Sequence, residues 1–314
     1  MIVAIGAFDG FHKGHQTLLC RACERAEERG ESWGIVTFGR HPERVVGSER
    51  FKALFTMEEQ LLLERYFAVP EVCRVDFTRE IAAMMPVDFL DYIARNFGVR
   101  GIVVGEDFRF GRGRSGDADL LVLEGTRRGW PVDVMSIYRS ANGEPVCSTA
   151  VRSAVSEGRI AAAWELLGYP YFCISQVIHG NARGRDLGFP TANVEIPDDK
   201  VGFPDGVYAT LVRAGGEWRI GAANIGNNPT FSDVANRRFE VNLLGYEGDL
   251  YGQEIAVFLL DYLRGEIRFE SPADLSAQVK LDSERVAKIG KAALRDCAAM
   301  WTRFENALKE VALP

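Results

Sequence analysis

The first third of the chain alternates short apolar runs with amphipathic segments of helical period. The apolar runs lie at residues 2–5, 33–38 and 101–104, and the helical segments lie at residues 14–29, 57–67 and 87–96. Alternation at these lengths predicts an α/β domain in which a parallel sheet carries helices on both faces. Ligands bind such sheets at the carboxyl ends of the strands. We therefore expect a site where segments 6–15, 37–42 and 105–111 come together.

Strand-like segments dominate from about residue 170 onward, separated by turns rich in glycine, asparagine and proline. They lie at residues 171–178, 207–212, 218–225, 239–244 and 255–260. This pattern predicts a small antiparallel β-barrel or sandwich. Since 314 residues are many for one compact core, we expect two domains, at residues 1–165 and 166–314.

A helical tail is predicted from residue 271 to the end of the chain. Apolar side chains recur there every three or four residues, at Val286, Ile289, Ala293, Cys297, Met300, Phe304, Leu308 and Val311. This spacing places them on one face of a single long helix. We expect that face to pack on its own barrel and not on a partner, and the sequence leaves the oligomeric state open.

Composition and charge exclude several classes of protein. Hydrophobic residues make up 47% of the chain and charged residues 26%, as in ordinary globular proteins. The net charge of −7 disfavours a nucleic-acid surface, which needs clustered basic residues. No apolar run approaches the roughly 20 residues that cross a bilayer, and the chain does not start with a basic leader. We expect a cytoplasmic protein with reduced cysteines and with neither nucleic acid nor membrane as partner.

Two histidines mark the start of the first predicted helix. His12 and His15 follow a glycine-rich turn after the first strand, and their spacing puts them on the same side of the first helical turn. A helix N-terminus offers unpaired N–H groups to an anion, and two imidazoles beside it can stabilise charge on a reacting phosphoryl group. Two incidental surface histidines are the alternative, which the strand–glycine–helix context makes the weaker one.

Three further segments accompany this turn. The turn reads G-A-F-D-G-F-H-K-G-H at residues 6–15, followed by T-F-G-R-H-P at 37–42, G-E-D-F-R-F-G at 105–111 and C-S-T-A-V-R at 147–152. Together they resemble the nucleotidyltransferases with an H-x-G-H motif, and most closely the bacterial bifunctional riboflavin kinase/FAD synthetases. The chain departs from that pattern at Arg40, where proline is usual, and at Cys147, where serine is usual.

The resemblance implies a Rossmann-like domain that adenylylates FMN. The two histidines would stabilise transfer at the α-phosphate of ATP, and Ser148, Thr149 and Arg152 would hold the triphosphate, Arg152 through its planar donors. Asp107 and its loop would hold flavin phosphate or metal. The other residues implied to bind nucleotide or flavin are Gly6, Phe8, Asp9, Gly14, His41, Gly105 and Phe108. Ser148 and Thr149 also suit a helix cap, and a cap position can serve as an anion site as well.

A second cluster of motif residues follows the first predicted strand of the barrel. Residues 179–193 read H-G-N-A-R-G-R-D-L-G-F-P-T-A-N, with three glycines and two arginines. On composition alone this is a solvated basic hairpin loop. Its end suggests more, because the Thr191 hydroxyl and the Asn193 amide are hard oxygen ligands of the kind that Mg²⁺ accepts while keeping waters and substrate phosphates.

This segment is very similar to the riboflavin kinase signature G-x-x-R-G-R-x-L-G-F-P-T-A-N, and matching segments follow in order at residues 206–209, 226–231, 249–252 and 263–269. The resemblance implies an antiparallel kinase barrel in which Thr191 and Asn193 bind Mg²⁺. It implies that Glu240 is the base on the riboflavin 5′-hydroxyl, whereas without the family Glu240 reads as a solvent-facing strand carboxylate. The residues implied to bind nucleotide or flavin are Gly180, Arg183, Gly184, Arg185, Gly188, Pro190 and Asn228.

The resemblance leads to one main hypothesis and two alternatives. In the main hypothesis the chain uses ATP and Mg²⁺ to convert riboflavin to FMN with release of ADP, and then FMN to FAD with release of pyrophosphate. In the second, the kinase is active and the first module is weak or silent. In the third, the chain is a non-catalytic flavin- or nucleotide-binding regulator. The presence of both histidines, Thr191, Asn193 and Glu240 speaks against the third.

Overall fold

The computed structural model describes residues 1–39, 41–47, 51–178, 191–226 and 238–310. By its internal packing the chain divides into two compact units, Met1–Ala150 and Val151–Pro314. This division falls before the boundary expected at residue 165. The reason is a short helix at Ile160–Leu167, which packs on a strand of the second unit through its buried residues Ile160, Ala163 and Leu167.

The first unit is built on a five-stranded sheet. Its strands are β1 (Ile2–Ile5), β2 (Trp33–Phe38), β3 (Val72–Val75), β4 (Gly101–Gly105) and β5 (Val132–Met135). Their order is β3-β2-β1-β4-β5, and every neighbouring pair is parallel. The parallel sheet predicted from the sequence is therefore confirmed, with β3 and β5 added to the three strands that the apolar runs indicated.

Helices connect these strands. They are α1 (Lys13–Arg29), α2 (Pro42–Val46), α3 (Met57–Tyr66), α4 (Arg79–Ala82), α5 (Pro86–Phe97) and α6 (Ala118–Arg128), and α7 (Ser148–Ser156) crosses the division between the units. The helix α1 begins after its N-cap His12 and ends at Gly30, whose φ of 63° is left-handed, a conformation that glycine adopts without strain. Apolar side chains of α5 join those of β1, β2 and β4 in one core.

The strand order changes direction between β1 and β4. From β1 the chain moves outward to β2 and β3, and it then returns to the other side of β1 with β4 and β5. The segments that follow β1 and β4 leave the carboxyl edge in opposite directions at such a point, and a crevice opens between them. The turn at residues 6–12 and the loop at residues 105–111 border this crevice.

The second unit contains a six-stranded sheet. Its strands are β6 (Phe172–Gln176), β7 (Thr191–Val194), β8 (Gly206–Ala214), β9 (Glu217–Gly226), β10 (Arg238–Leu243) and β11 (Glu254–Arg264), and its helices are α8 (Ile160–Leu167), α9 (Pro272–Asp296) and α10 (Ala298–Glu310). The strand order is β6-β11-β8-β9-β10-β7, with antiparallel pairs throughout. The predicted antiparallel sheet is confirmed.

The two edge strands of this sheet meet and curl it into a barrel. The Ile178 N–H, just after β6, donates to the Asn193 carbonyl oxygen of β7 at 2.9 Å. The Glu195 N–H, just after β7, donates to the Ser175 hydroxyl oxygen of β6 at 3.2 Å. These contacts use main-chain groups at the sheet edges, where unpaired donors and acceptors would otherwise remain.

The tail forms two helices, so the expectation of one long helix is wrong. Cys297 separates α9 from α10 with φ −119° and ψ 28°, outside the helical region. The spacing of apolar residues continues unchanged across this break, so the sequence pattern could not predict that the helix ends at Cys297. The Ala293 carbonyl oxygen accepts both the Cys297 N–H at 3.1 Å and the Trp301 indole N–H at 2.8 Å, so the indole adds a second hydrogen bond at the end of α9. Val311 lies outside the described residues.

The tail packs on the barrel of its own unit, as expected. Trp301 and Phe304 of α10 contact Phe258 of β11, with ring centroids 5.4 and 4.8 Å apart. The Arg213 guanidinium of β8 binds both carboxylate oxygens of Glu305, at 2.6 and 2.8 Å. Within the described ranges, none of the helices combines the length and the apolar character needed to span a membrane.

Candidate active sites

The turn after β1 has an unusual backbone held by buried rings. Phe8 and Phe11 have φ values of 48° and 38°, and Gly10 lies between them at 92°. Residues other than glycine rarely adopt such values. Both phenylalanines are fully buried, their rings stack at 5.4 Å, and Phe11 stacks on Phe67 at 5.5 Å. The packing therefore imposes the turn that delivers His12 to the start of α1.

His12 caps α1 with its own ring. The His15 N–H donates to His12 Nδ1 at 3.3 Å, so Nδ1 is the acceptor and the neutral ring carries its proton on Nε2. The two imidazoles stack with centroids 3.7 Å apart. Only 6% of His12 is exposed. This arrangement fixes the tautomer of His12 and leaves its Nε2–H as a donor.

His15 is held neutral. Burial lowers its pKa well below the ordinary value of 6.5, and His12 and His41 lower it further by charge repulsion. Its Nδ1 is buried and has no hydrogen-bond partner among the described residues. A buried polar atom of this kind needs a partner that a ligand can supply. His15 thus offers a neutral hydrogen-bonding group at a helix N-terminus.

Asp9 is an internal anchor of the site. Only 2% of it is exposed, and its carboxylate accepts the Leu54 N–H at 3.0 and 3.2 Å. Its carbonyl oxygen accepts the Ser148 hydroxyl at 2.8 Å. Asp9 therefore joins the turn to the start of α7. A direct contact with nucleotide remains a prediction for both residues.

Two glycines beside the histidines lie close to neighbouring atoms. A Cβ on Gly14 would stand 3.1 Å from both His12 Nδ1 and the Val146 carbonyl oxygen. A Cβ on Gly6 would stand 3.5 Å from the ring of Phe8, an ordinary contact. Gly14 therefore allows the close approach of α1 to residue 146, whereas the structure places no such demand on Gly6.

The loop after β4 presents a carboxylate at the crevice. The Phe108 N–H donates to the Gly105 carbonyl oxygen at 3.0 Å, which closes a turn with Asp107 exposed. Asp107 Oδ1 lies 2.8 Å from the position of a Cβ on Gly105. Phe108 stacks on Phe110 at 5.4 Å. Any side chain at position 105 would displace the Asp107 carboxylate.

His41 follows β2 on the same edge of the sheet. It is the N-cap of α2, since its Nδ1 accepts the Glu43 N–H at 3.2 Å, and its ring stacks on Phe51 at 4.2 Å. Its effect on the pKa of His15 places it near the histidine pair. Thr149 is exposed, and Arg152 lies on the next turn of α7 beyond the division between the units.

One polar contact in this site was not predicted. The Gln60 side-chain amide of α3 donates to the Ala7 carbonyl oxygen at 3.4 Å, and the Thr37 hydroxyl donates to the same oxygen at 3.3 Å. Both side chains hold the turn after β1. Nothing in the local sequence distinguishes Gln60 from an ordinary polar residue on a helix surface.

The predicted kinase residues meet across the β7–β10 pair. In the antiparallel register Asn193 lies opposite Glu240, and Thr191 lies opposite Asn242. On the other side of β10, Glu240 lies opposite Asn224 of β9. These five residues are half-buried or exposed, while the residues alternating with them in β7 and β10 are buried. We call the surface that they form the polar face.

The polar face suits a magnesium ion that accompanies a nucleotide. It combines the hydroxyl of Thr191, the amide of Asn193 and the carboxylate of Glu240 within one antiparallel pair, whose opposed Cβ atoms are roughly 4.5–5.5 Å apart. Mg²⁺ accepts few protein oxygens and retains water and phosphate. Among the described residues no three His, Cys, Asp or Glu side chains form a metal-binding group. The hydroxyl, the amide and the carboxylate are a small set of protein oxygens, so the donor set fits an ion shared with a substrate.

Asn224 and Asn242 were not predicted as site residues, because their position depends on strand pairing over many intervening residues. The predicted ligand-binding residues of the loop after β6 lie outside the described residues. They are Gly180, Arg183, Gly184, Arg185, Gly188 and Pro190, and the predicted residue Asn228 lies outside as well.

The fold and the sites define a class of two-unit enzymes for phosphorus chemistry. The sheet unit places two histidines at a helix N-terminus, and the barrel places hard oxygens opposite a carboxylate. The FAD synthetase family model matches residues 1–150, and the riboflavin kinase family model matches residues 167–290. The chain belongs to the family of bifunctional riboflavin kinase/FMN adenylyltransferases, as the sequence motifs predicted.

Individual relatives cover most of the chain. The bifunctional riboflavin kinase/FMN adenylyltransferase of Escherichia coli K12 is 37% identical over 90% of both chains, and that of Listeria monocytogenes is 33% identical over 90% of both. The Bacillus subtilis protein of the same name is 31% identical over 91% of this chain and 92% of its own. A crystal structure described as a macrolide-efflux protein from Streptococcus pneumoniae superposes with a TM-score of 0.82, at 30% identity over 91% of this chain and 93% of that one.

Proposed function

We propose that the barrel unit phosphorylates riboflavin with ATP to give FMN, and that the sheet unit adenylylates FMN with a second ATP to give FAD. The proposal is supported by family models that match both units and by relatives of the bifunctional kind that extend over 90% of the chain. The sheet unit carries the histidine pair, and the barrel unit carries Thr191, Asn193 and Glu240.

In the kinase reaction Glu240 takes the proton of the riboflavin 5′-hydroxyl as that oxygen attacks the γ-phosphorus of ATP. The bond from the γ-phosphorus to the bridging oxygen breaks, and ADP leaves. Magnesium bound with ATP neutralises phosphate charge, and Thr191 and Asn193 are the side chains that would hold it. Their common face with Glu240 keeps the base next to the transferred phosphate.

In the adenylyl transfer an oxygen of the FMN phosphate attacks the α-phosphorus of ATP. The bond to the bridging oxygen on the β-phosphate side breaks, and pyrophosphate leaves. His12 donates through Nε2–H to the phosphate oxygens, and neutral His15 offers a second ring at the same helix end. The nucleophile is already a phosphate anion, so this step needs donors and not a general base. Neutral His15 suits that requirement.

One observation carries the kinase assignment: Glu240 stands directly opposite Asn193, with Thr191 two residues away on the same strand. The alternative is a solvent-facing strand carboxylate, and the face that Glu240 shares with the two proposed magnesium ligands favours the catalytic role. For the transferase, the corresponding observation is the stacked pair of histidines at the start of α1.

The test is to incubate the purified protein with riboflavin, ATP and magnesium and to separate the flavins by chromatography. We expect FMN to form first and FAD to follow, with ADP and pyrophosphate as the other products. FMN without FAD would mean that the sheet unit is silent. Unchanged riboflavin in a folded protein would refute the proposal.

We further propose that both reactions take place in the cytoplasm. All six cysteines are free thiols, as is usual in a reducing compartment. The expected partners are riboflavin, FMN, FAD, ATP, ADP and pyrophosphate. The net charge of −7 disfavours nucleic acid as a partner.

A further inference from the structure

The polar face carries another carboxylate, that of Glu266, two residues after the end of β11. Its Oε1 occupies the place where a Cβ on Gly226 would stand. Gly226 ends β9 and lies two residues after Asn224. Side chains two residues apart in a strand point to the same face of the sheet. The Cβ position of Gly226 therefore lies on the face that Asn224 shares with Glu240. The Glu266 carboxylate thus reaches the polar face because Gly226 has no side chain there.

The Glu266 carboxylate lies at a strand position that neighbours Glu240. Glu240 lies opposite Asn224, so Gly226 is its diagonal neighbour on β9. Diagonal neighbours of this kind stand roughly 7–8 Å apart. A polyol chain of several carbons, with C–C bonds of about 1.5 Å and a hydrogen bond of about 2.7 Å at each end, is long enough to extend from the Glu266 carboxylate to the side chain of Glu240.

The surroundings of Glu266 favour a ligand that donates hydrogen bonds. Within the described ranges its carboxylate has no hydrogen bond and no ion pair. Burial and the nearby Asp205 raise its pKa. Asp205 comes just before Gly206, which pairs with Ile225, so Asp205 stands beside Gly226. Glu266 is exposed, and the alcohol O–H groups of a ligand can replace the water that otherwise donates to its carboxylate.

We propose that Glu266 binds the ribityl hydroxyls of the flavin acceptor and thereby makes the kinase select for a polyol side chain. The proposal rests on the proposed kinase function. Gly226 acts as a positioning residue, because any side chain there would displace the Glu266 carboxylate. Glu240 remains the base at the terminal hydroxyl, and Glu266 contacts the hydroxyls nearer the flavin ring.

The test compares two acceptors, riboflavin and a flavin whose N10 substituent is a 5-hydroxypentyl chain. The second keeps the reacting hydroxyl and lacks the others. We expect the wild-type protein to have a kcat/KM roughly 10- to 100-fold lower for the hydroxypentyl flavin, because hydrogen bonds to a charged group are lost. In Glu266→Gln, we expect the KM for riboflavin to rise roughly 10-fold with little change in kcat.

The selectivity supplies the decisive readout. Glu266→Gln should leave kcat/KM for the hydroxypentyl flavin unchanged, and Gly226→Ala should show the same selective loss. Glu284→Gln, an exposed carboxylate on α9, is the matched control and should behave as wild type. Thermal unfolding will show whether Gly226→Ala folds. If it does not fold, Glu266→Gln by itself tests the proposal.

Several results would overturn the proposal. They are an equal loss on both acceptors, a fall in kcat alone, a changed magnesium requirement with unchanged KM for riboflavin, and a wild-type protein with no preference between the acceptors. A wild-type protein that makes no FMN would refute the proposed function itself. If FMN forms normally and Glu266→Gln keeps full selectivity, only the role of Glu266 is refuted.

Discussion

His12 has two separable roles in the structure, and substitutions can divide them. Its Nδ1 caps α1 by accepting the His15 N–H at 3.3 Å, and its Nε2–H is the group that we propose donates to a phosphate. Asparagine is among the best N-cap residues, whereas alanine is among the worst. His12→Asn should therefore keep the cap and lose the imidazole donor, and His12→Ala should lose both.

The structure sets the size of each effect. Loss of the cap costs about 1 kcal/mol, and both variants lose the same buried, stacked ring. The free energy of unfolding of His12→Ala should then be about 1 kcal/mol below that of His12→Asn. Removal of one donor aimed at developing charge lowers kcat about 10²- to 10³-fold. We expect a loss of this size in FMN adenylylation for both variants.

The contribution of the cap to stability is measured by urea unfolding and by amide hydrogen exchange across α1. The contribution of the imidazole donor to catalysis is measured by the rate of conversion of FMN to FAD. Formation of FMN from riboflavin is the internal control and should be unchanged. Near wild-type adenylylation by His12→Asn would refute the reasoning, since the ring would then serve only as a helix cap. Equal stability of the two variants would contradict the capping role.

Three further predictions concern the pH response, the crowding at α1 and the tail. Because burial lowers the pKa of His15 below 6.5, His15 takes up a proton in the unfolded chain at a higher pH than in the folded protein. The free energy of unfolding, measured in urea, should therefore fall as the pH drops below about 6.5. His15→Gln should flatten that pH dependence. Gly14→Ala should lower the rate of FAD formation, because its methyl group would press on His12 Nδ1 at 3.1 Å; an unchanged rate would show that the contact is harmless. Glu305→Gln should lower the thermal stability of the barrel by about 1–2 kcal/mol, since Arg213 is only 10% exposed. The pair of the exposed Glu217 with the half-buried Arg219 is the matched control, and an equal loss in Glu217→Gln would contradict the effect of burial.

The local parts of the fold could be predicted from sequence. The strands at Ile2–Ile5 and Trp33–Phe38 are continuous apolar runs, and α1 has a clear apolar stripe that ends at a glycine. The strands β3 and β5 could not be found in the same way. They have four residues each and are only partly buried, so their apolar signal is weak.

The geometry of the sites depends on pairings that no local pattern contains. The motifs identified Thr191, Asn193 and Glu240 singly, whereas their common face follows from the register of β7 with β10. The position of Glu266 depends on the end of β9, some forty residues earlier in the chain. The break between the two tail helices at Cys297 could not be predicted either. The apolar period continues across it, and the backbone torsions of one residue do not change that period.

The central claim is that one chain holds two independent sites for consecutive reactions. The most direct measurement is to assay Glu240→Gln and His15→Ala for both half-reactions, riboflavin to FMN and FMN to FAD. We predict that Glu240→Gln loses at least about 100-fold in FMN formation and still converts added FMN to FAD. His15→Ala should form FMN normally and lose FAD formation. If either variant, while folded, lost both reactions, the separation of the sites would be contradicted.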